Sequence, residues 1–154
     1  MTFLENKIPP PIIALLFAVA IWIISIYTPA ASFLNGPYGL FIAIGLLVLG
    51  FSIAIAGAIS FRAAATTVNP LKPETASSLV TSGVFQYSRN PMYVGLTFIL
   101  LALIVYLAVA WGLLMVMLFI LYIQRFQIVP EERAMYKLFG EEFEAYQSIV
   151  RRWL

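Results

Sequence analysis

Cysteine, histidine and aspartate are all absent from the chain. Their absence excludes disulfides, thiolate or imidazole metal sites, haem ligation through His or Cys, and every Ser-His-Asp or Cys-His nucleophile. Charge is almost as scarce: nine Lys and Arg with seven glutamates make up 10% of the 154 residues, where a soluble domain carries about 25%. So few charges cannot cover a water-facing globule of this size, which excludes a soluble enzyme. What is present is apolar, 62% of the residues with a mean hydropathy of +0.96. The length suits a single domain over residues 1–154, an all-α integral membrane protein.

A helix needs about 20 mainly apolar residues to cross the hydrocarbon core. The first candidate span, residues 9–27, opens on Pro9-Pro10-Pro11, which suits a helix start. Read as a signal peptide it fits poorly: its apolar region exceeds the usual run of about 7–15 residues, only Lys7 precedes it, and Thr28-Pro29-Ala30 is a weak cleavage site. The second span, residues 38–61, ends at Arg62. The apolar block Met92 to Val129 is interrupted only by Gln124, Arg125 and Gln127. As one helix it would measure about 57 Å at 1.5 Å per residue, nearly twice a core of about 30 Å. Two antiparallel passes, 92–109 and 112–129, reversing near Ala110-Trp111-Gly112, fit better. The expected architecture is therefore four membrane helices, the last two a hairpin, with a cytoplasmic loop over 62–91 and amphipathic cytoplasmic helices over 130–154.

Span two repeats small residues at every fourth position, Gly50, Ala54, Ala58 and Ser52, Ala56, Ser60. Such stripes let helix backbones approach closely in lipid. Packing inside the bundle is the expected use, a homodimer contact the alternative, and the oligomeric state stays open.

Basic residues near span ends set orientation. All nine basic residues and all seven glutamates fall on one side of this arrangement, whereas Thr28 to Pro37 and the Ala110 reversal carry no charge. Both termini are expected to be cytoplasmic, in a multi-pass protein of a prokaryotic membrane.

The long cytoplasmic connection, Arg62 to Pro91, holds Val68, Leu71, Leu79, Val80, Val84, Phe85 and Tyr87 among its prolines and serines, which argues for order. Asn69-Pro70 and Lys72-Pro73 read as turns or extended chain, and Thr81-Ser82-Gly83 as another turn. Pro91 disfavours helix at Asn90 and suits the first turn of span three. That helix start, with Arg89 beside it, can hold an anionic group; equally, Arg89 can snorkel to lipid phosphates. Gln124, Gln127 and Glu131 are spaced three and four apart and so share a helix face in a regular helix. The hairpin is expected to bring Arg89, Asn90 and Tyr93 near Gln127, Glu131 and Glu132, whether as an ion pair that pins the two spans or as a ligand site. In the tail, Phe139, Phe143, Tyr146, Val150 and Trp153 form an apolar helical face interrupted at Gly140, suited to capping the hairpin mouth.

A chain without His, Asp and Cys is poorly equipped for hydrolysis, but a cofactor carrying its own reactivity relaxes that limit. Methyl transfer from a sulfonium donor needs alignment and exclusion of water more than acid–base help, and alignment can supply roughly 7–11 kcal/mol of the barrier. Glutamates, Arg89 and aromatic side chains are suitable groups to hold such a donor.

Leu79-Val80-Thr81-Ser82-Gly83-Val84-Phe85, followed by Tyr87-Ser88-Arg89-Asn90-Pro91-Met92-Tyr93-Val94-Gly95, resembles the membrane isoprenylcysteine carboxyl methyltransferase and phospholipid methyltransferase superfamily. Glu131-Glu132, Leu138-Phe139-Gly140, Phe143, Tyr146 and Val150-Arg151-Arg152-Trp153 match the sequel of that pattern in order and spacing. The resemblance covers about Pro70 to Leu154. It implies S-adenosylmethionine as donor, bound at the cytoplasmic ends of the last two spans under the tail helices. The donor-site positions it implies are Gly83, Tyr87, Arg89, Asn90, Pro91, Tyr93, Gly95, Glu131 and Glu132. Gln127 joins them from the polar stripe, and Arg89, Glu131 and Glu132 are the catalytic candidates. Asn90 stands where isoprenylcysteine enzymes usually have His, Ser77-Ser78 where another is frequent, and no Gly-x-Gly occurs as in many phospholipid N-methyltransferases. The expected acceptor is thus a lipophilic or small membrane-permeable carboxylate, amine or thiol reached from the lipid side, with no metal and no nucleic acid. An NADPH-dependent membrane reductase of the steroid-reductase type and a non-enzymatic four-span scaffold are the alternatives.

Overall fold

The computed structural model describes residues 5–32, 34, 36–64, 71 and 73–154. The turns expected at Asn69-Pro70 and Lys72, and the contribution of Val68, lie outside the described residues. The described residues are helical with no strand: α1 (Pro10–Tyr27), α2 (Gly39–Ala63), α3 (Pro91–Tyr106), α4 (Gly112–Ile123), α5 (Val129–Phe139) and α6 (Glu141–Ile149). Single 3₁₀ turns at Pro73–Thr75 and Gly83–Gln86 punctuate the connection between α2 and α3. Proline opens α1 and α3, where its missing N–H leaves no helical hydrogen bond unmade.

Three helical stretches are long and apolar enough to cross a membrane: α1, α2 and the rod Gly112–Phe139. The fourth expected span is shorter than anticipated. α3 has 16 residues, about 24 Å of helix. It ends because the chain reverses over Leu107 to Trp111, with Ala108 at φ 50° and the Val109 N–H reaching back to the Ile104 carbonyl. Gly112 lets α4 start hard against α3, since a Cβ there would stand 2.7 Å from Ile104 Cγ1. The reversal thus begins slightly earlier than the Ala110-Trp111-Gly112 expected. At the same end the Ala31 N–H binds the Ala108 carbonyl, tying the first helical connection to the hairpin tip.

The core between α1, α3 and α4 is made of Ile21, Leu100, Ile104, Phe119 and Ile123, with Phe17 set edge-on to Phe119. α2 packs mainly on α3, and its outer face, Phe41, Val48, Ile55 and Ile59 among others, is exposed as lipid-facing residues are. The α2–α3 crossing runs through glycines. A Cβ on Gly50 would lie 2.7 Å from the Gly95 carbonyl oxygen, and one on Gly95 would lie 2.6 Å from that of Gly50. The stripe Gly50, Ala54 is therefore used within the bundle, as expected, because in lipid close backbone packing replaces hydrophobic driving force.

Between α4 and α5 the helix widens into a π-turn, Gln124–Ile128, in which the Val129 N–H reaches the Gln124 carbonyl. Pro130 lacks the N–H that would bind the Phe126 carbonyl in a regular helix. That carbonyl instead accepts the N–H of Asn6, 3.0 Å away. The N-terminal segment is fastened there a second time: Glu5 pairs with Arg125 at 2.8 Å and with Arg133 at 3.0 Å. The hydrogen bond from Arg125, with that from Arg133, holds the Glu5 carboxyl below the usual carboxylate range. The N-terminal segment, the start of α3 and the tail therefore gather at one end, as the charge distribution requires.

Candidate functional site

The site is built where the start of α3 meets the start of α5 under the chain end. Tyr93, in the first turn of α3, donates its hydroxyl to Glu131 Oε1 at 2.5 Å across 38 residues of sequence. One residue further along α5, Glu132 is gripped by two guanidinium groups. Arg89 Nη2 reaches its Oε1 at 2.8 Å, while Arg152 Nε reaches Oε1 at 3.0 Å and Nη2 reaches Oε2 at 2.6 Å. The side chains of Arg89 and Glu132 are only 12% and 16% exposed, so this pair is largely shielded from water. The hydrogen bond to Glu132 raises the Arg152 pKa and keeps that guanidinium charged.

The chain end is stitched over the site by its own carbonyls. Arg89 Nη1 donates to the Val150 carbonyl at 2.5 Å and the Gln147 carbonyl at 3.3 Å, and the Arg89 N–H to the Arg151 carbonyl at 2.9 Å. Asn90 Nδ2 donates to the Arg152 carbonyl at 2.8 Å. Trp153 closes the strap, its indole N–H on Gln124 Oε1 at 3.2 Å. α6 is held down by Phe143, Tyr146 and Val150, which are buried with Leu79, Met135 and Phe139. The break that lets α6 turn back is Gly140 at φ 49°, a left-handed conformation that a side chain disfavours. The amphipathic tail is thus a cap on the hairpin mouth, not a helix lying alone on the bilayer.

Under this cap lies a cavity of about 120 Å³. Phe61, Leu79, Val80, Phe85, Met135 and Phe143 supply apolar walls, and Arg89, Asn90, Tyr93, Glu131, Glu132 and Tyr146 the polar groups. Among the described residues Glu131 has no cationic partner, only the Tyr93 hydroxyl. Both Arg89 terminal nitrogens are committed, but its Nε is buried without a hydrogen-bond partner among the described residues. Tyr146 donates to the Phe85 carbonyl at 2.6 Å, and burial pushes its phenol up to about 12, so it stays neutral.

Of the residues expected at the site, Arg89, Asn90, Pro91, Tyr93, Glu131 and Glu132 line the cavity. Gly83, Tyr87, Gly95 and Gln127 do not. Gly83, at φ 62°, opens the second 3₁₀ segment, where a Cβ would meet Ser60 Oγ at 2.9 Å. Tyr87 is 75% exposed. Gly95 is consumed by the α2 crossing. Gln127 is fully buried but donates Nε2 to the Ile8 carbonyl at 2.7 Å, on the side of the N-terminal segment. The physical reason is the π-turn: one extra residue rotates the helix beyond it by about 100°, so the stripe Gln124, Gln127, Glu131 no longer shares a face. Among the contributors not foreseen, two stand out. Phe61 comes from the last turn of α2, and Arg152 reaches Glu132 from the chain end. The only signal for Arg152 was its place in Val150-Arg151-Arg152-Trp153.

Comparison with known proteins adds three findings. The family model described as phospholipid methyltransferase matches residues 38–142, from the start of α2 into α6. A protein of Haemophilus influenzae, described as uncharacterized, is 44% identical over 63 residues, which is 41% of this chain and the whole of that protein. No solved structure matches.

Proposed function

The chain belongs to the phospholipid methyltransferase family, and from that premise we propose that it transfers a methyl group from S-adenosylmethionine to a lipophilic or small membrane-permeable acceptor. The observation that carries this reading is the convergence of Tyr93 with Glu131, and of Arg89 with Glu132, around one cavity. The residues present suit such a donor. Glu131, held by the Tyr93 hydroxyl and by no cation among the described residues, offers a carboxyl to hydrogen-bond the ribose or amino group of the donor; Arg89 suits a carboxylate; Phe85, Phe143 and Tyr146 offer aromatic surface to an adenine. When bound, the donor supplies an electrophilic methyl group on sulfur, and the reaction is a displacement.

The chain's own work is then to hold two reactants in line and keep water out. Arg89, Asn90, Pro91, Tyr93 and Glu131 form the donor wall, and Glu132 sets Arg89 in place. Phe61 and Met92 line the cavity where α2 and α3 meet it, and in this reading a carboxylate, amine or thiol acceptor enters on that side. Both termini face the cytoplasm in this reading, because the basic residues gather at the site's end.

Titration calorimetry on detergent-purified protein tests the reading. S-adenosylmethionine is expected to bind with a micromolar-to-millimolar Kd and NADPH not at all. Binding of NADPH in preference, or of neither, overturns it.

A further inference from the structure

The geometry points to Arg152 as a positioning residue for the donor site, acting through Glu132 on Arg89. This deepens the methyl-donor reading and rests on it. Glu132 is met from two sides: Arg152 takes both carboxylate oxygens, while Arg89 takes one with a single nitrogen. The forked geometry fixes the carboxylate plane, which a point charge would leave free to turn. The fixed carboxylate in turn holds Arg89 Nη2, and the carbonyls of Gln147 and Val150 hold Nη1. Both ends of the guanidinium are thereby committed, and Nε is left as a buried donor without an acceptor among the described residues, in a residue that lines the cavity.

A buried N–H with no partner is costly, and a folded protein keeps one where a ligand completes it. The missing partner is an oxygen of a ligand anion, and in a site for S-adenosylmethionine that anion is the carboxylate of its amino-acid end. Arg152 does not touch this oxygen. It is not among the residues lining the cavity, and it lies beyond the stretch matched by the family model. Its part is to keep Glu132, and through it Arg89, from swinging.

The test compares two probes on the purified full chain: S-adenosylmethionine, and 5′-methylthioadenosine, which lacks the amino-acid end. Arg152→Gln is expected to raise the Kd for S-adenosylmethionine at least tenfold and to change that for 5′-methylthioadenosine less than twofold. Arg152→Lys, which keeps the charge but loses the fork, is expected to fall between, and it carries the same comparison should Arg152→Gln not fold. In a Glu132→Gln background the Arg152 substitution is expected to add nothing, because the route through Glu132 is already cut. Arg151→Gln, an exposed side chain on the same strap whose backbone carbonyl alone meets Arg89, serves as the structural control and is expected to bind both probes as the parent does. Equal weakening of both probes shows a purely structural role and overturns this inference alone, as does an unchanged Kd for S-adenosylmethionine. Failure of the parent protein to bind S-adenosylmethionine overturns the donor reading, and this one with it.

Discussion

Glu131 and Glu132 are adjacent in sequence and chemically identical, yet the fold gives them different work. Glu132 balances two arginines, whereas Glu131 meets a single phenol and no cation among the described residues. Glu131→Gln keeps an acceptor for Tyr93 and removes only the ionisable carboxyl. It is expected to weaken S-adenosylmethionine binding at least tenfold by calorimetry, about 1.4 kcal/mol, while thermal stability holds. Glu132→Ala is expected to do the reverse first, lowering stability by about 3 kcal/mol, because it leaves the shielded Arg89 guanidinium without its carboxylate and facing that of Arg152. Chemical unfolding in detergent reads that difference. A pH dependence belongs to this scale too. The Tyr146 phenol is raised to about 12 by burial, so its contribution is complete below the unfolded value near 10 and is lost as pH rises through the folded value. Between about pH 10 and 12 the parent is therefore expected to lose stability relative to Tyr146→Phe, which carries no ionisable group there; parallel alkaline unfolding curves would contradict this.

At the scale of the element, a glycine's meaning depends on what faces it. Gly95 stands in a motif that reads as ligand-binding, but its missing side chain is where α2 and α3 touch backbone to backbone. Gly45 on α2 has open space around it. Gly95→Ala is expected to destabilise by about 1–3 kcal/mol through overpacking, and Gly45→Ala to leave stability unchanged or slightly raised. Thermal melts of the two variants decide it. The π-turn is the other lesson at this scale. Periodicity placed Gln124, Gln127 and Glu131 together, and a regular helix would have done so. Pro130 and the docked N-terminal segment favour the wider turn, and the three residues go to Trp153, Ile8 and Tyr93 respectively. Pro130 alone, within the eight residues Gln124 to Glu131, does not carry that outcome, because the Asn6 N–H that binds the Phe126 carbonyl lies far away in the chain.

At the scale of the whole molecule, the arrangement predicts sidedness. The chain has no cysteine, so one introduced thiol reports cleanly. Ser148→Cys, at the cap, is expected to react with an impermeant maleimide only from the face that carries the termini. Ser32→Cys and Trp111→Cys, at the hairpin-tip end, are expected to react only from the other. Labelling of Ser148→Cys and Trp111→Cys from one side would mean that α3, with its 16 residues, does not carry the chain across.

The sequence by itself determined the solvent, the helical class, the doubling back of the last apolar block and the end at which charge collects. These follow from composition and length, since hydrocarbon thickness and the cost of immersing charge act on any chain alike. That six of the ten expected positions would line one cavity was legible for the same reason: a hairpin brings its two ends together whatever its side chains are. Tertiary structure alone decided which glutamate is neutralised, that Gln127 turns from the cavity, that Gly95 is spent on packing, and that Arg152 reaches Glu132 from the chain end. Each of these depends on a partner remote in sequence, and such a contact acquires its energy only once the bundle has closed.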